Sequence, residues 1–178
     1  YVQIAPFTYG SNYNGAILRE QQTKVLSLNN TGMIITADIT ADTTNIHPPD
    51  KHDVGYRLAD LALAETYHQN LSNYKSPLYN SITVENKKAI IGFYNADNGL
   101  QIKGDKITQL YIAGKDSIFY PADAKIENNK LIISSINVVA PIAVRYEFSN
   151  AGIGNLFSKD GLPVAPFRTD DWKVKIEK

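Results

Sequence analysis

Cysteine is absent from the 178-residue sequence, which excludes disulfide bonds, cysteine-type zinc sites and thiol catalysis. That absence does not fix the compartment. An excess of one charge is also missing: 18 Lys+Arg and 18 Asp+Glu cancel to a formal net charge of +0. With no block of like charge either, bulk attraction to nucleic acid or to an anionic membrane is excluded as a basis for function. No apolar run approaches the roughly 20 residues needed to span a bilayer. Internal repeats and low-complexity tracts are lacking as well. The chain has no initiator Met, no basic n-region and no signal-peptide pattern at its start. Instead Tyr1-Val2-Gln3-Ile4-Ala5-Pro6-Phe7 reads as a strand already under way, and a piece of a longer protein is expected.

What is present is an ordinary globular composition, 43% apolar and 20% charged, in a chain long enough for one domain or two small ones. Eleven tyrosines and many asparagines suit an extracytoplasmic, sugar-handling protein. Two rhythms divide the chain near residue 74. In the first, Val2–Ala5 is apolar, Gly10–Gly15 is a loop rich in Asn, Ser and Gly, and Ala16–Leu28 is helical with Leu18, Val25 and Leu28 on one face. Met33–Thr36 has the continuous apolar character of a covered parallel strand. Residues 38–49 form a polar loop, and a long helix runs from Asp50 to Gln69 with Val54, Leu58, Leu61 and Ala62 inward. Alternating strand and helix is the signature of an α/β sheet.

From Lys75 the pattern becomes short strands separated by turns: Ile82–Glu85, Ala89–Tyr94, Ile107–Ala113, Ser117–Tyr120, Ala124–Ile126, Leu131–Ser134 and Ile142–Phe148. Asn128-Asn129 between two of them is a hairpin turn, because Asn tolerates positive φ. An antiparallel β-sandwich is expected over residues 75–178, with the tail from Gly152 to Lys178 the least readable part.

The most chemical stretch runs from Asp38 to Asp53. It lies where a parallel strand ends and the next helix has not begun, the edge at which open α/β sheets bind ligands. Pro48 pushes His47 out of the helical region and holds it extended. Acids nearby are of the type that orients an imidazole and stabilises its charged form in hydrolytic triads. The same acids have another explanation: Asp50 and Asp53 fit helix capping, and Asp38 and Asp42 fit turns. His47, His52 and nearby Asp residues lack any recognised metal-ligand spacing. His52 and His68 fall on the helix and are expected in solvent. Asn29-Asn30-Thr31 and Asn70-Leu71-Ser72 match glycosylation sequons, from which nothing is drawn in so Asn-rich a chain.

Thr36-Ala37-Asp38, Asn45-Ile46-His47-Pro48-Pro49-Asp50-Lys51 and Val54-Gly55-Tyr56-Arg57-Leu58-Ala59 resemble the last catalytic block of the sialate O-acetylesterases, members of the SGNH hydrolase superfamily. The resemblance takes in Val2-Gln3-Ile4-Ala5-Pro6-Phe7 and Leu18-Arg19-Glu20-Gln21 upstream. Downstream it includes Ser76-Pro77-Leu78-Tyr79, Ile112-Ala113-Gly114, Phe119-Tyr120-Pro121-Ala122 and Pro141-Ile142-Ala143-Val144-Arg145-Tyr146. It closes with Gly161-Leu162-Pro163 and Pro166-Phe167-Arg168-Thr169-Asp170-Asp171-Trp172. Nearly the whole chain is covered, in order.

The resemblance implies an α/β plus all-β chain: the C-terminal part of an SGNH (flavodoxin-like) hydrolase domain over residues 1–74, then the β-sandwich over 75–178. It implies removal of acetyl esters from sugars, sialic acids among them, by a serine that His47 activates, with neither metal nor organic cofactor. It also implies a periplasmic or secreted protein. The serine of a Gly-Asp-Ser block, and its oxyanion donors, do not occur here and are expected from a missing N-terminal part of the same protein. The nearest match, Gly114-Lys115-Asp116-Ser117, reads as a hairpin turn. The family also has Asp two residues before the histidine, where this chain has Asn45. Asp38, Asp42 or a backbone carbonyl is left to orient the ring. Arg19 is a candidate for a substrate carboxylate, which Arg binds bidentately, or a surface residue paired with a neighbouring acid. Two further readings stand beside the esterase: a carbohydrate-binding or assembly module presenting tyrosines, and an esterase of acetylated xylan.

Overall fold

The computed structural model of the chain describes residues 1–10 and 13–174; residues 11 and 12 of the expected Gly10–Gly15 loop and residues 175–178 of the tail lie outside them. Two helices come first, α1 (Asn14–Val25) and α2 (Lys51–Glu65), with a short 3₁₀ turn at Ala37–Ile39 between them. Ten strands follow: β1 (Leu78–Glu85), β2 (Lys88–Tyr94), β3 (Leu100–Ile102), β4 (Leu110–Ala113), β5 (Phe119–Pro121), β6 (Asp123–Glu127), β7 (Lys130–Ser134), β8 (Ala143–Tyr146), β9 (Leu156–Ser158) and β10 (Phe167–Arg168).

The strands make two four-stranded antiparallel sheets, ordered β1-β2-β7-β6 and β10-β8-β4-β5, and a separate β3–β9 pair. Alternation decides which faces meet. Ala89 and Ile91 of β2 lie opposite Ile133 and Leu131 of β7, all four without exposed surface. On the second sheet Leu110 and Ile112 of β4 lie opposite Tyr146 and Val144 of β8. These eight residues belong to one apolar cluster, in which burying each Ile or Leu contributes about 1.5–3 kcal/mol. Asn128 and Asn129, at φ 51° and 59°, close the β6–β7 hairpin, as their turn chemistry requires. Gly114–Ser117 turns β4 into β5, with the Ser117 N–H donating to the Gly114 carbonyl at 3.2 Å.

Several sequence expectations are corrected. Val2–Ala5 and Met33–Thr36 do lie parallel, joined by Gln3 N–H to Ile34 O (2.9 Å) and Ile34 N–H to Tyr1 O (3.0 Å), but they make a single bridge and not two strands of a ladder. Helix α1 begins two residues early and ends three early. Its buried positions are Gly15, Ala16 and Arg19, whereas Leu18, Val25 and Leu28 of the expected inner face are exposed. Helix α2 stops at Glu65; beyond it the His68 backbone turns left-handed (φ 53°) and Gln69 N–H returns to Leu63 O at 2.9 Å, a wide closing turn past the helix end. His68 is therefore off the helix, while His52 is on it and exposed. Ile107–Gln109 precede β4, where Gln109 has φ 56°, and Glu147 at φ 49° ends β8 before Phe148. The strand expected at Ser117–Tyr120 is shifted to Phe119–Pro121, Ser117 itself having φ 59°. β3, β9 and β10 are too short for a sequence pattern to show.

Contacts between residues 1–74 and the sheets fix the site's surroundings. Ala165 donates its N–H to Pro77 O at 2.9 Å and packs with Met33, Ile35 and Ala37. Tyr13 at the start of α1 supplies no side-chain cap. The Gly15 N–H is satisfied instead by Asn150 Oδ1 at 2.8 Å, which discharges one of the orphan donors of a helix N-terminus.

Candidate active site

His47 ends a loop built by two successive Asx turns. Asp42 Oδ1 accepts from the Thr44 N–H (2.8 Å) and hydroxyl (2.7 Å). Asn45 Oδ1 then accepts from the His47 N–H at 2.9 Å. Such side-chain turns are what short polar residues impose locally. Pro48 follows, its carbonyl accepting from Lys51 Nζ at 2.5 Å, and Asp50 caps α2 by accepting the Asp53 N–H at 3.0 Å. The His47 side chain is exposed, and among the described residues its imidazole has no hydrogen-bond partner. It borders a shallow groove of about 470 Å³ with Val2, Ile4, Leu18, Ile46 and Pro48.

The acids expected around His47 are engaged elsewhere. Asp38, carried by the 3₁₀ turn, forms a bidentate ion pair with Arg57 of α2 at 2.7 and 2.6 Å. Arg57 Nη1 also reaches Ile35 O at 2.7 Å. The Asp38 hydrogen bond raises the Arg57 pKa, against the opposing effect of burial. Both Asp38 oxygens are thus committed to locking α2 against the end of the Met33–Thr36 segment. Asp42 is held below the usual carboxylate range by the Thr44 N–H and hydroxyl, and stands as an ionised turn carboxylate. Asn45 acts on the His47 backbone, not on its ring.

Arg19, expected at a sugar carboxylate or in a surface ion pair, is 1% exposed. Its guanidinium donates to Ser149 O and, at 3.3 Å, to Asn150 O. Burial lowers its pKa while Glu147 raises it. In place of either expectation, the guanidinium fork is turned onto the protein's own carbonyls. Among the described residues no three His, Asp or Glu side chains converge as a metal-binding set.

Sequence reasoning missed Asn150, Glu147 and Gln22. Gln22 Oε1 accepts the Ile4 N–H (2.9 Å) and its Nε2 donates to Val2 O (3.3 Å). Its amide thereby stands in for a neighbouring strand on the free side of Val2–Ala5. No local pattern signals these three residues.

No family model matches the sequence, and no curated protein matches it. Among solved structures, the chain is similar to that of a novel carbohydrate acetylesterase from Xanthomonas citri. The two are 40% identical with a TM-score of 0.88, over 96% of this chain and 40% of that one. The chain thus spans well under half the length of the enzyme it matches. Its likeness in fold and sequence is to a carbohydrate acetylesterase.

Proposed function

We propose that this chain is the histidine-bearing part of a carbohydrate O-acetylesterase of the SGNH type, with residues 1–74 completing its hydrolase domain and residues 75–178 forming an accessory β-sandwich. The observation that carries the proposal is the 40% identity to a carbohydrate acetylesterase across 96% of the chain. His47, exposed in an apolar-walled groove beside a fixed turn, has the access that a general base needs. In the proposed reaction His47 takes the proton from a serine hydroxyl as its oxygen attacks the acetyl carbonyl. The tetrahedral adduct collapses, the sugar oxygen leaves with the proton His47 returns, and an acetyl-serine remains. Water activated by the same imidazole then releases acetate.

The serine of this scheme, in a Gly-Asp-Ser block, is assigned to a part of the protein corresponding to the relative's uncovered length. Exposed Leu18 and Ile46 (45% and 42%), and backbone groups of Val2 and Ile4 met only by a side-chain amide, are features suited to such a neighbour. Because Asp38 is bound to Arg57 and Asp42 Oδ1 to Thr44, the group proposed to support the His47 ring is the second Asp42 oxygen or a backbone carbonyl, with Asn45 setting its backbone. The substrate class is an O-acetylated sugar, with acetylated sialic acid favoured by the sequence resemblance and a periplasmic or secreted setting to match. No helix of the described residues is long and apolar enough to cross a membrane.

The test is acetate release from 4-nitrophenyl acetate and from O-acetylated sugars by the chain joined to its serine-bearing part. His47→Ala should lower turnover by about 10³-fold or more. Turnover indifferent to that change would overturn the proposal.

A further inference from the structure

The loop that presents His47 is tethered at one place. Among the described residues, the hydrogen bonds joining residues 41–47 to another element come from Thr8, whose N–H and hydroxyl meet Thr43 O at 3.0 and 3.4 Å. Everything else in that loop is internal: the Asp42 and Asn45 turns, and the Asn45 N–H to Asp42 O at 3.3 Å. Thr8 thus holds the start of the loop that presents His47, while its end is fixed where Asp50 caps α2.

Thr8 is held in turn by one residue remote in sequence. Asn150 O accepts the Phe7 N–H at 3.1 Å and Arg19 Nη1 at 3.3 Å. Its amide Nδ2 donates to Gly10 O at 3.1 Å, and its Oδ1 accepts the Gly15 N–H at 2.8 Å. Asn150 is 7% exposed, so these bonds form away from competing water and leaving one unmade is costly. The contacts bracket the segment from both ends, before Thr8 at Phe7 and after it at Gly10 and Gly15. Gly15 makes the approach possible, since a Cβ there would lie 2.7 Å from the Tyr9 ring and 3.3 Å from Asn150 Oδ1.

We infer that Asn150, contributed by the segment after β8, is a positioning residue for His47, acting through residues 7–10 and the Thr8–Thr43 contact. The inference rests on the proposed role of His47 as base, but the tether itself is measurable without any activity. It gives the sheet-bearing part of the chain a share in the chemistry: the segment after β8 sets the angle at which the imidazole meets its substrate.

The experiment is site-resolved amide hydrogen exchange with NMR of the histidine imidazoles, on the unaltered protein, Asn150→Ala and Asn150→Asp. In Asn150→Ala the Thr8 amide should exchange about tenfold faster or more and the His47 imidazole resonances should shift or broaden. Protection at Ile91 and Ile133 and the resonances of His52 and His68 should hold. Asn150→Asp keeps the acceptor for Gly15 but cannot donate to Gly10, and should change less. In the acetylesterase, Asn150→Ala should lower kcat about tenfold with KM unchanged, the pattern of a base held at the wrong angle. Uniform loss of protection at Ile91 and Ile133, or an unaltered Thr8 amide and His47 imidazole, overturns the inference. Should Asn150→Ala not fold, Thr8→Pro, which removes both the N–H and the hydroxyl that meet Thr43 O, must reproduce the His47 changes or the inference falls. An esterase indifferent to His47→Ala defeats the base assignment alone, since the exchange result stands apart from it.

Discussion

Glu147 is 2% exposed, and its left-handed backbone (φ 49°) directs the side chain inward after β8. One carboxylate oxygen accepts the Gly154 N–H; the other has no hydrogen-bond partner among the described residues. Burial pushes its pKa up to about 7, although the Gly154 N–H and Arg19 pull the other way. The folded protein therefore holds this proton more tightly than the unfolded chain, whose Glu titrates near 4.5. The resulting stabilisation is complete below pH 4.5, declines as pH rises, and is gone above about 7. The gap corresponds to about 3 kcal/mol. Glu147→Gln, which keeps an acceptor for Gly154, should abolish this slope, so urea unfolding at pH 5 and pH 8 should differ less in the variant than in the unaltered protein. An identical pH dependence in both would show that Glu147 is not the titrating group. Arg19 lies in the same buried polar region, met by the Ser149 and Asn150 carbonyls, a place that neither sequence reading, at a substrate carboxylate or in a surface ion pair, gives it.

At the scale of elements, what the sequence makes legible is what local chemistry decides. Asn128-Asn129 specifies its hairpin, Pro48 and the Asx residues specify the His47 loop, and the alternation of β2 and β7 specifies the faces that meet. Helix α1 was misread because Leu18, Val25 and Leu28 carry a regular spacing, while the side that packs is small and polar, Gly15, Ala16 and Arg19, against partners some 130 residues away. Helix α2 was extended too far because a histidine, not the usual glycine, takes the left-handed position after it. Asp38 was visible as a candidate acid, but its capture by Arg57 required the two elements to be placed in space. The start of α2 is a case where local signal and structure agree, since Asp50 accepts the Asp53 N–H. Asp50→Ala should cost about 1 kcal/mol, and Asp50→Asn close to nothing, measured by urea unfolding. Equal losses would mean that the carboxylate charge matters and the cap bond does not.

Across the whole molecule, the segment after β9 holds α1 to the sheets. Arg145 of β8 pairs bidentately with Asp170 at 2.9 and 2.7 Å, and Arg168 of β10 pairs with Glu20 of α1 at 3.0 and 3.1 Å. Aromatic rings fill the spaces: Arg145 lies 4.1 Å from the Phe119 ring and 5.0 Å from Phe148, and Phe148 stacks on Tyr13 at 5.6 Å. Arg145 and Asp170 have side chains only 8% and 2% exposed. Removing one partner strands a buried charge, a loss of about 3–5 kcal/mol. Trp172, the chain's single tryptophan, meets Phe119 edge-on at 5.7 Å and reports on this junction by fluorescence, while circular dichroism at helical wavelengths reports on α1 and α2. If the junction makes one cooperative unit, the two signals should unfold together in urea. Asp170→Ala should then shift both to lower urea by the same amount, equivalent to about 3–5 kcal/mol. A tryptophan transition that runs ahead of the helical one in the variant would show instead that the sheets and the helices unfold separately, with the ion pairs serving only to dock them.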